Sequence, residues 1–505
     1  MATDKRVIRW AMTTLLKAFA SFASLAIAGA FATAAAPSTR GEAAEPGNAM
    51  GRSQAVEVVR LAANSLIARS TPMPRGGWAW RSSIQAPHFH TDRDVGAASV
   101  GAGLLAAHAI TGDKRYLRGA VKAGDYLRGV GETTSGGGLR WPDWADPDGE
   151  RSETHYTSFD DGAAGISDFL WRLFKATHQP RFRVAAVAGM RWIVSRAEAA
   201  PAERCPGTCT WKWTDDPSAR VAYHGVGMGQ AGIVWALDVF ADRTNDPVFR
   251  TYARAGAARL RLLTENGKRP LPEQAGTEAY GTGFLSGSAG AAAVLLQRFV
   301  RDRNRADLAT AHGLLEWVNR QAISDRSRGL RWPIVVSSDA VEDTSAAGFE
   351  EGVAGIAWVN LRAYLATGRA EFRDVARRAA VWLRSVATTE GGGSAWAEQP
   401  GVSRSPVHVG LDSGAAGIGW VLDELALAGI DPAANREAAW SALGWLDAEA
   451  RRDRLGAFWF ENTTAGRSNL RAEPSWHWGS AGIAAFAARL AGHERFGPGG
   501  QPLHP

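Results

Sequence analysis

Thiols are almost absent from this sequence. Its 505 residues hold two cysteines, Cys205 and Cys209, both in the loop Cys205-Pro206-Gly207-Thr208-Cys209. Two thiols are too few for a structural zinc site and lack a redox-motif context, so a local disulfide is expected. Strong net charge is also missing. The formal charge is +6, and Lys5, Arg6, Arg9 and Lys17 against Asp4 supply three of those units. The rest is evenly spread, which argues against a nucleic-acid partner. Only the apolar run from Ala18 to Phe31 invites a membrane reading, and it is shorter than the roughly 20 residues a span needs. Basic residues precede it and Ala32-Thr33-Ala34-Ala35-Ala36-Pro37 follows, the layout of a secretory signal cut near Ala34 or Ala35. Residues 1–36 are therefore expected to be a signal peptide, leaving no stable membrane span after cleavage and a periplasmic or secreted product. Residues 37–51, rich in Ala, Pro, Gly and Glu, read as a flexible leader and 496–505 as a tail.

Glycine is plentiful, and it is placed periodically. The phrase Gly-x-Ala-Gly occurs at Gly162-Ala163-Ala164-Gly165, Gly229-Gln230-Ala231-Gly232, Gly287-Ser288-Ala289-Gly290, Gly352-Val353-Ala354-Gly355, Gly414-Ala415-Ala416-Gly417 and Gly479-Ser480-Ala481-Gly482. A worn copy, Gly96-Ala97-Ala98-Ser99, precedes them, giving successive intervals of 66, 67, 58, 65, 62 and 65 residues. Such a period marks one repetitive domain rather than several. Each unit reads as a small-residue helix, a polar turn such as Thr244-Asn245-Asp246-Pro247, and an amphipathic return helix such as Phe372 to Ala387. A tryptophan-bearing hairpin follows, as at Trp78-Ala79-Trp80, Trp141, Trp211-Lys212-Trp213, Trp332, Trp396 and Trp459; the segment from Lys268 to Glu273 takes that place without a tryptophan. The helix near Ala55 to Arg69 and the one from Gly482 to Leu490 each lack a partner. Pairing them closes an all-α ring, an (α/α)7 toroid: a double ring of seven helical hairpins with short Trp-bearing β-hairpin connections over residues 52–495.

Seven hairpins, each inner helix opened by this phrase, resemble the lanthionine synthetase C-like (LanC-like) family; six-hairpin glycosidases have a related toroid with one pair fewer. The resemblance implies a catalytic zinc in the members that form thioether rings. Their ligands lie in a Trp-Cys-x-Gly phrase, a Cys-His-Gly phrase and a His-Gly of the fourth unit. Here those places read Phe349-Glu350-Glu351-Gly352, Asp412-Ser413-Gly414 and Ser286-Gly287. The fold carries over; the thiolate chemistry does not, since no zinc-lowered thiol can form.

With parallel inner helices, the residues before the glycines line one mouth: Asp92 and Asp94; His155, Asp160 and Asp161; His224; Ser286; Glu350 and Glu351; His408 and Asp412; Trp476, His477 and Trp478. Two readings stand. Helix capping, at about 0.5–2 kcal/mol each, accounts for Asp161, Asp412 or Ser413, and Ser286. It suits the adjacent acids Glu350 and Glu351 less well. The other reading is acid–base or nucleophilic chemistry of the glycoside-hydrolase kind. Asp160, Asp161, Glu350, Glu351, Asp412 and His477 are then the catalytic candidates, with His155, His224, His408, Trp476 and Trp478 against substrate. No cofactor is expected. Histidines and carboxylates together suit a divalent ion, but no spacing such as His-Glu-x-x-His supports one. The sequence thus points to an exported carbohydrate-active enzyme, the alternative being a LanC-like protein that modifies or binds peptides without zinc.

Overall fold

The computed structural model describes residues 51–82, 88–199, 205–216, 221–274, 276–327, 329–337, 344–463 and 472–492. The expected signal peptide, almost all of the leader, and the tail lie outside them. Among the described residues are fourteen α-helices: α1 (Arg52–Ala68), α2 (Ala97–Thr111), α3 (Lys114–Val130), α4 (Ala163–Thr177), α5 (Pro180–Ser195), α6 (Gln230–Thr244), α7 (Pro247–Leu263), α8 (Ser288–Asp302), α9 (Arg305–Arg320), α10 (Val353–Thr367), α11 (Ala370–Val386), α12 (Ala415–Leu427), α13 (Pro432–Glu449) and α14 (Ser480–Gly492). Even-numbered helices form the inner ring, each touching the next, and α14 packs on both α1 and α2. The ring is therefore closed, and Arg52 Nε donates to the Ala491 carbonyl across the seam at 2.9 Å.

Small residues permit this crowding. A Cβ on Gly355 would collide with the Phe349 carbonyl oxygen, and the second glycine of each of the other five full phrases meets a carbonyl six residues earlier in the same way. The inner helices start one residue after the first glycine, earlier than the phrase suggests. Capping differs from expectation too. For α2, α4, α6, α8, α10 and α12 the N-cap is glycine, with no side-chain cap. Loop carbonyls take the first N–H groups instead, as in Ala163 N–H to Tyr156 O at 3.0 Å and Ala415 N–H to His408 O at 3.1 Å. The acidic side chains before the glycines are thereby released from the capping role.

After six of the seven outer helices comes an antiparallel two-stranded hairpin: Thr71–Pro72 with Trp78–Ala79, Glu132–Thr133 with Leu139–Arg140, Glu198–Ala199 with Cys209–Thr210, Ile323–Ser324 with Leu330–Arg331, Thr388–Glu390 with Gly393–Ala395, and Arg451–Asp453 with Gly456–Phe458. After α7 a 3-10 turn, Glu265–Gly267, replaces it. Cys205 and Cys209 form the expected disulfide within the third hairpin. Deeper in the barrel, guanidinium–carboxylate pairs join neighbouring inner helices: Arg243 to Asp168 at 2.7 Å, Arg298 to Asp238 at 2.5 Å, Arg362 to Glu424 at 2.7 Å and Arg489 to Asp423 at 2.6 Å. Buried pairs of this kind add little net stability, but breaking one strands a charge, so they specify which helices adjoin.

Candidate active site

The loops before the glycine phrases are stitched into a hoop. The N–H groups of Arg93 and Asp94 both donate to the Asp160 carbonyl, those of Phe159 and Asp160 to Gly227, and those of Val226 and Gly227 to Leu285. Phe284 and Leu285 then donate to Glu350, Phe349 and Glu350 to Asp412, and Asp412 to His477. Trp476 N–H closes the circuit onto Ser99 Oγ at 2.6 Å. One position recurs in every unit, two residues before the first glycine: Asp94, Asp160, Gly227, Leu285, Glu350, Asp412 and His477.

Five of these seven side chains converge. His477 Nδ1 lies 2.9 Å from Asp412 Oδ2 and 3.0 Å from Asp94 Oδ1, while its Nε2 faces Asp160 Oδ1 at 4.0 Å. Asp160, Glu350 and His477 bring donor atoms within 4.8 Å of one another, and so do Asp94, Asp412 and His477. Asp412, Asp160 and His477 are 5%, 7% and 8% exposed; Glu350 and Asp94 keep partial access to solvent. Gly227 makes room for this arrangement, since a Cβ there would run into the Asp160 carboxylate and the Leu285 side chain. Arg93 lies beneath, buried, its guanidinium 4.5 Å from the Trp476 ring centroid.

Burial and crowding decide protonation here. Burial pushes the Asp160 carboxyl up to about 7, helped by Asp94 and Asp412 and opposed by His477 and Arg93. Glu350 is held well above the usual carboxylate range by burial and then by Asp412. Burial would make His477 less basic, but the Asp412 and Asp94 carboxylates outweigh it and raise its pKa well above the ordinary imidazole value. A charged imidazole, a protonated carboxyl and an ionisable neighbour within one small space make a proton-transfer centre.

The other candidate residues lie elsewhere. Asp161, one residue nearer its glycine than Asp160, accepts from Trp213 Nε1 at 3.0 Å. Glu351, at the same offset, takes the Ser286 N–H at 3.0 Å. His155 sits between Glu132 at 3.1 Å and Asp215 at 3.3 Å. His224 is bonded through Nδ1 to the Pro272 carbonyl at 2.8 Å, and burial lowers its pKa to about 4. His408 lies near Glu398 at 3.4 Å, its ring edge-on to Trp478 at 5.7 Å. Trp476 is buried under Arg93, whereas Trp478 is partly exposed. Sequence reading placed Asp94 at the mouth without giving it a role and missed Arg93, Gly227 and Leu285. The offset of two from the glycine is the signal that finds Asp94, Gly227 and Leu285. A third group, His90, Asp92 and Asp143, also has donor atoms within 4.8 Å, but Asp92 Oδ1 is occupied by the N–H groups of Val95 and Gly96.

The family model described as "Lanthionine synthetase C-like protein" matches residues 153–439. Among solved structures, nisin cyclase is similar at a TM-score of 0.54 and 13% identity, over 81% of this chain and 90% of its own. D-mannose isomerase gives 0.45 at 14% identity, over 86% and 96%. An inactive variant of the alpha-1,6-mannanase GH76A of Salegentibacter sp. HEL1_6 gives 0.44 at 13%, over 78% and 98%. At 13% identity the likeness to nisin cyclase is one of fold. No curated protein sequence matches the chain.

Proposed function

The chain belongs to the lanthionine synthetase C-like family, and from that premise we propose that its barrel mouth is a carbohydrate-active centre of the glycoside-hydrolase type. Zinc–thiolate chemistry does not fit the residues present. Glu350 and Asp412 stand where the thioether-forming members have cysteines, and the chain's two cysteines are joined to each other. No step is therefore derived through thiolate-bound zinc.

The observation that carries the reading is the approach of Asp160 and Glu350 to within 4.8 Å beside His477. That bound is shorter than the roughly 6.5–9.5 Å that leaves room for a water in inverting glycosidases, so the pair is read as the retaining kind. Glu350, protonated through burial, gives its proton to the glycosidic oxygen as that bond breaks. Asp160, as carboxylate, attacks the anomeric carbon and forms a glycosyl ester. Water, deprotonated by Glu350, then cleaves the ester and restores both groups. His477 favours the ionised form of Asp160.

The reading includes export. The expected signal peptide at residues 1–36 and the Cys205–Cys209 disulfide both fit an oxidising compartment, and no described helix is long and apolar enough to cross a membrane.

Reducing-end release from a panel of α- and β-linked oligosaccharides tests the proposal. Glu350→Gln and Asp160→Asn should each lower turnover at least about 100-fold with the fold intact. Turnover that survives both substitutions would overturn the assignment. Family membership supports a second reading, a peptide-directed protein without thioether chemistry; capture of a peptide with no glycan processed would select it.

A further inference from the structure

We propose that a cavity of about 570 Å3, lined by His224, Arg259, Leu262, Glu265, Arg269 and Glu278, is a second binding site, one that takes a neutral saccharide unit. Its volume lies inside the roughly 300–1,000 Å3 of small-molecule pockets. It opens at the unit that has no hairpin: Glu265, Arg269 and Glu278 belong to the segment that follows α7 in the hairpin's place. His224 is the first ground. The residue is 1% exposed. Its main-chain N–H donates to the Glu273 carbonyl at 3.0 Å and its own carbonyl accepts from Ala231 at 3.1 Å, so its place is fixed. Nδ1–H donates to the Pro272 carbonyl at 2.8 Å, and the ring makes no other hydrogen bond among the described residues. Nε2 is therefore the polar atom this ring brings to the cavity wall, a lone pair without a donor. Burial, with the charge of Arg259 added to it, keeps the imidazole neutral, so Nε2 accepts and does not donate.

The balance of the wall is the second ground. Two guanidinium groups, Arg259 and Arg269, stand with two carboxylates, Glu265 and Glu278, so the cavity has no net charge with which to select an ion. Nor do its charges part into opposite poles, as a zwitterion would need. Arg269 is acted on by both Glu265 and Glu278, and it also donates to the Tyr280 hydroxyl at 2.9 Å. Donors and acceptors thus alternate along the wall. A hydroxyl gives one hydrogen and accepts on two lone pairs, so a row of neighbouring sugar hydroxyls is matched by guanidinium N–H groups, carboxylate oxygens and the imidazole nitrogen. Leu262, 50% exposed, adds apolar surface for the C–H face of the ring.

The site does not rest on the glycosidase reading, because it shares no residue with the Asp160–Glu350 pair and binding is measured without turnover. Methyl glycosides of glucose, mannose and galactose are titrated into the full chain by calorimetry, with saturation-transfer NMR reporting which sugar protons touch the protein. Glucuronate, glucosamine and glycylglycine serve as anionic, cationic and zwitterionic probes. At least one neutral glycoside should bind with a Kd of about 1 mM or tighter. His224→Asn keeps a donor for the Pro272 carbonyl and removes Nε2, while Glu278→Ala removes an exposed acceptor. Each should weaken that binding at least about fivefold, the worth of one hydrogen bond, and Glu350→Gln at the mouth should leave it in place. Circular dichroism and melting temperature check that the variants fold; if His224→Asn does not, Glu278→Ala decides. No neutral glycoside bound at about 10 mM, any charged or zwitterionic probe bound more tightly than all three, or binding that survives the cavity variants or disappears in Glu350→Gln overturns the proposal.

Discussion

Adjacent acids in this protein have different fates because the loop that carries them bends at both residues and sends their side chains to different partners. Glu350 joins the cluster, while Glu351 reaches back to the Ser286 N–H with Oε1 and leaves Oε2 without a partner. Burial pushes Glu351 up to about 7. Its folded pKa thus exceeds the unfolded value of about 4.3, so the folded chain binds the extra proton and stability falls as pH rises between those values. Glu351→Gln keeps the acceptor for Ser286 and removes the charge. Urea melts should show little difference between variant and parent at pH 4, a gap growing to about 1–3 kcal/mol in favour of the variant by pH 7, and a plateau beyond. A gap that shrinks with rising pH would contradict this account. The two members of the pair could not be told apart from sequence, because composition and spacing put both acids at the mouth and only the hydrogen bonding of the loop separates them.

Tryptophan placement was more legible, since its recurrence once per unit reflects a repeated task. Trp80, Trp141, Trp211, Trp332, Trp396 and Trp459 each donate Nε1–H to a carbonyl near the end of the preceding outer helix, Leu66, Leu127, Ile193, Val318, Leu383 and Leu446, at 2.6–2.9 Å. They belong to the last turn, where a helix leaves carbonyls short of intrahelical partners; those of Leu127, Ile193 and Val318 also accept a backbone N–H. The ring fills the space between helix pairs while its N–H serves the backbone, which excludes these six as sugar platforms. Where the hairpin is missing, Thr264 Oγ1 donates to the Leu260 carbonyl at 2.9 Å instead. Trp396→Phe keeps the ring volume nearly intact and strands the Leu383 carbonyl. A loss of about 1–2 kcal/mol is expected by chemical denaturation, with activity otherwise unchanged. A neutral result would mean that packing alone holds the hairpin.

Closure of the whole ring depends on the one unit whose phrase departs from the pattern. Where six units have glycine the first has Ser99, whose hydroxyl donates to the Asp94 carbonyl at 2.8 Å and accepts the Trp476 N–H at 2.6 Å. Ser99→Gly should cost about 1–2 kcal/mol, and hydrogen exchange should rise first in α1, α2 and α14; a rise spread evenly over all seven units would show that the seam is not special. The glycine period made the number of units readable, and the unpaired first and last helices made closure readable. The charge cluster was not, because the capping expected of Asp and Ser side chains is done by loop carbonyls, and that depends on a backbone path no local pattern reveals. The hoop of loops has a further consequence. All its links but the Ser99 hydroxyl at the seam are main-chain N–H and carbonyl groups, so the side chain each unit delivers to the axis is not needed to hold the ring together. The mouth therefore works like a lock with seven interchangeable tumblers, in which the blanks Gly227 and Leu285 belong to the combination as much as Glu350 or His477. Its chemistry can be rewritten one tumbler at a time while the barrel around it stays the same.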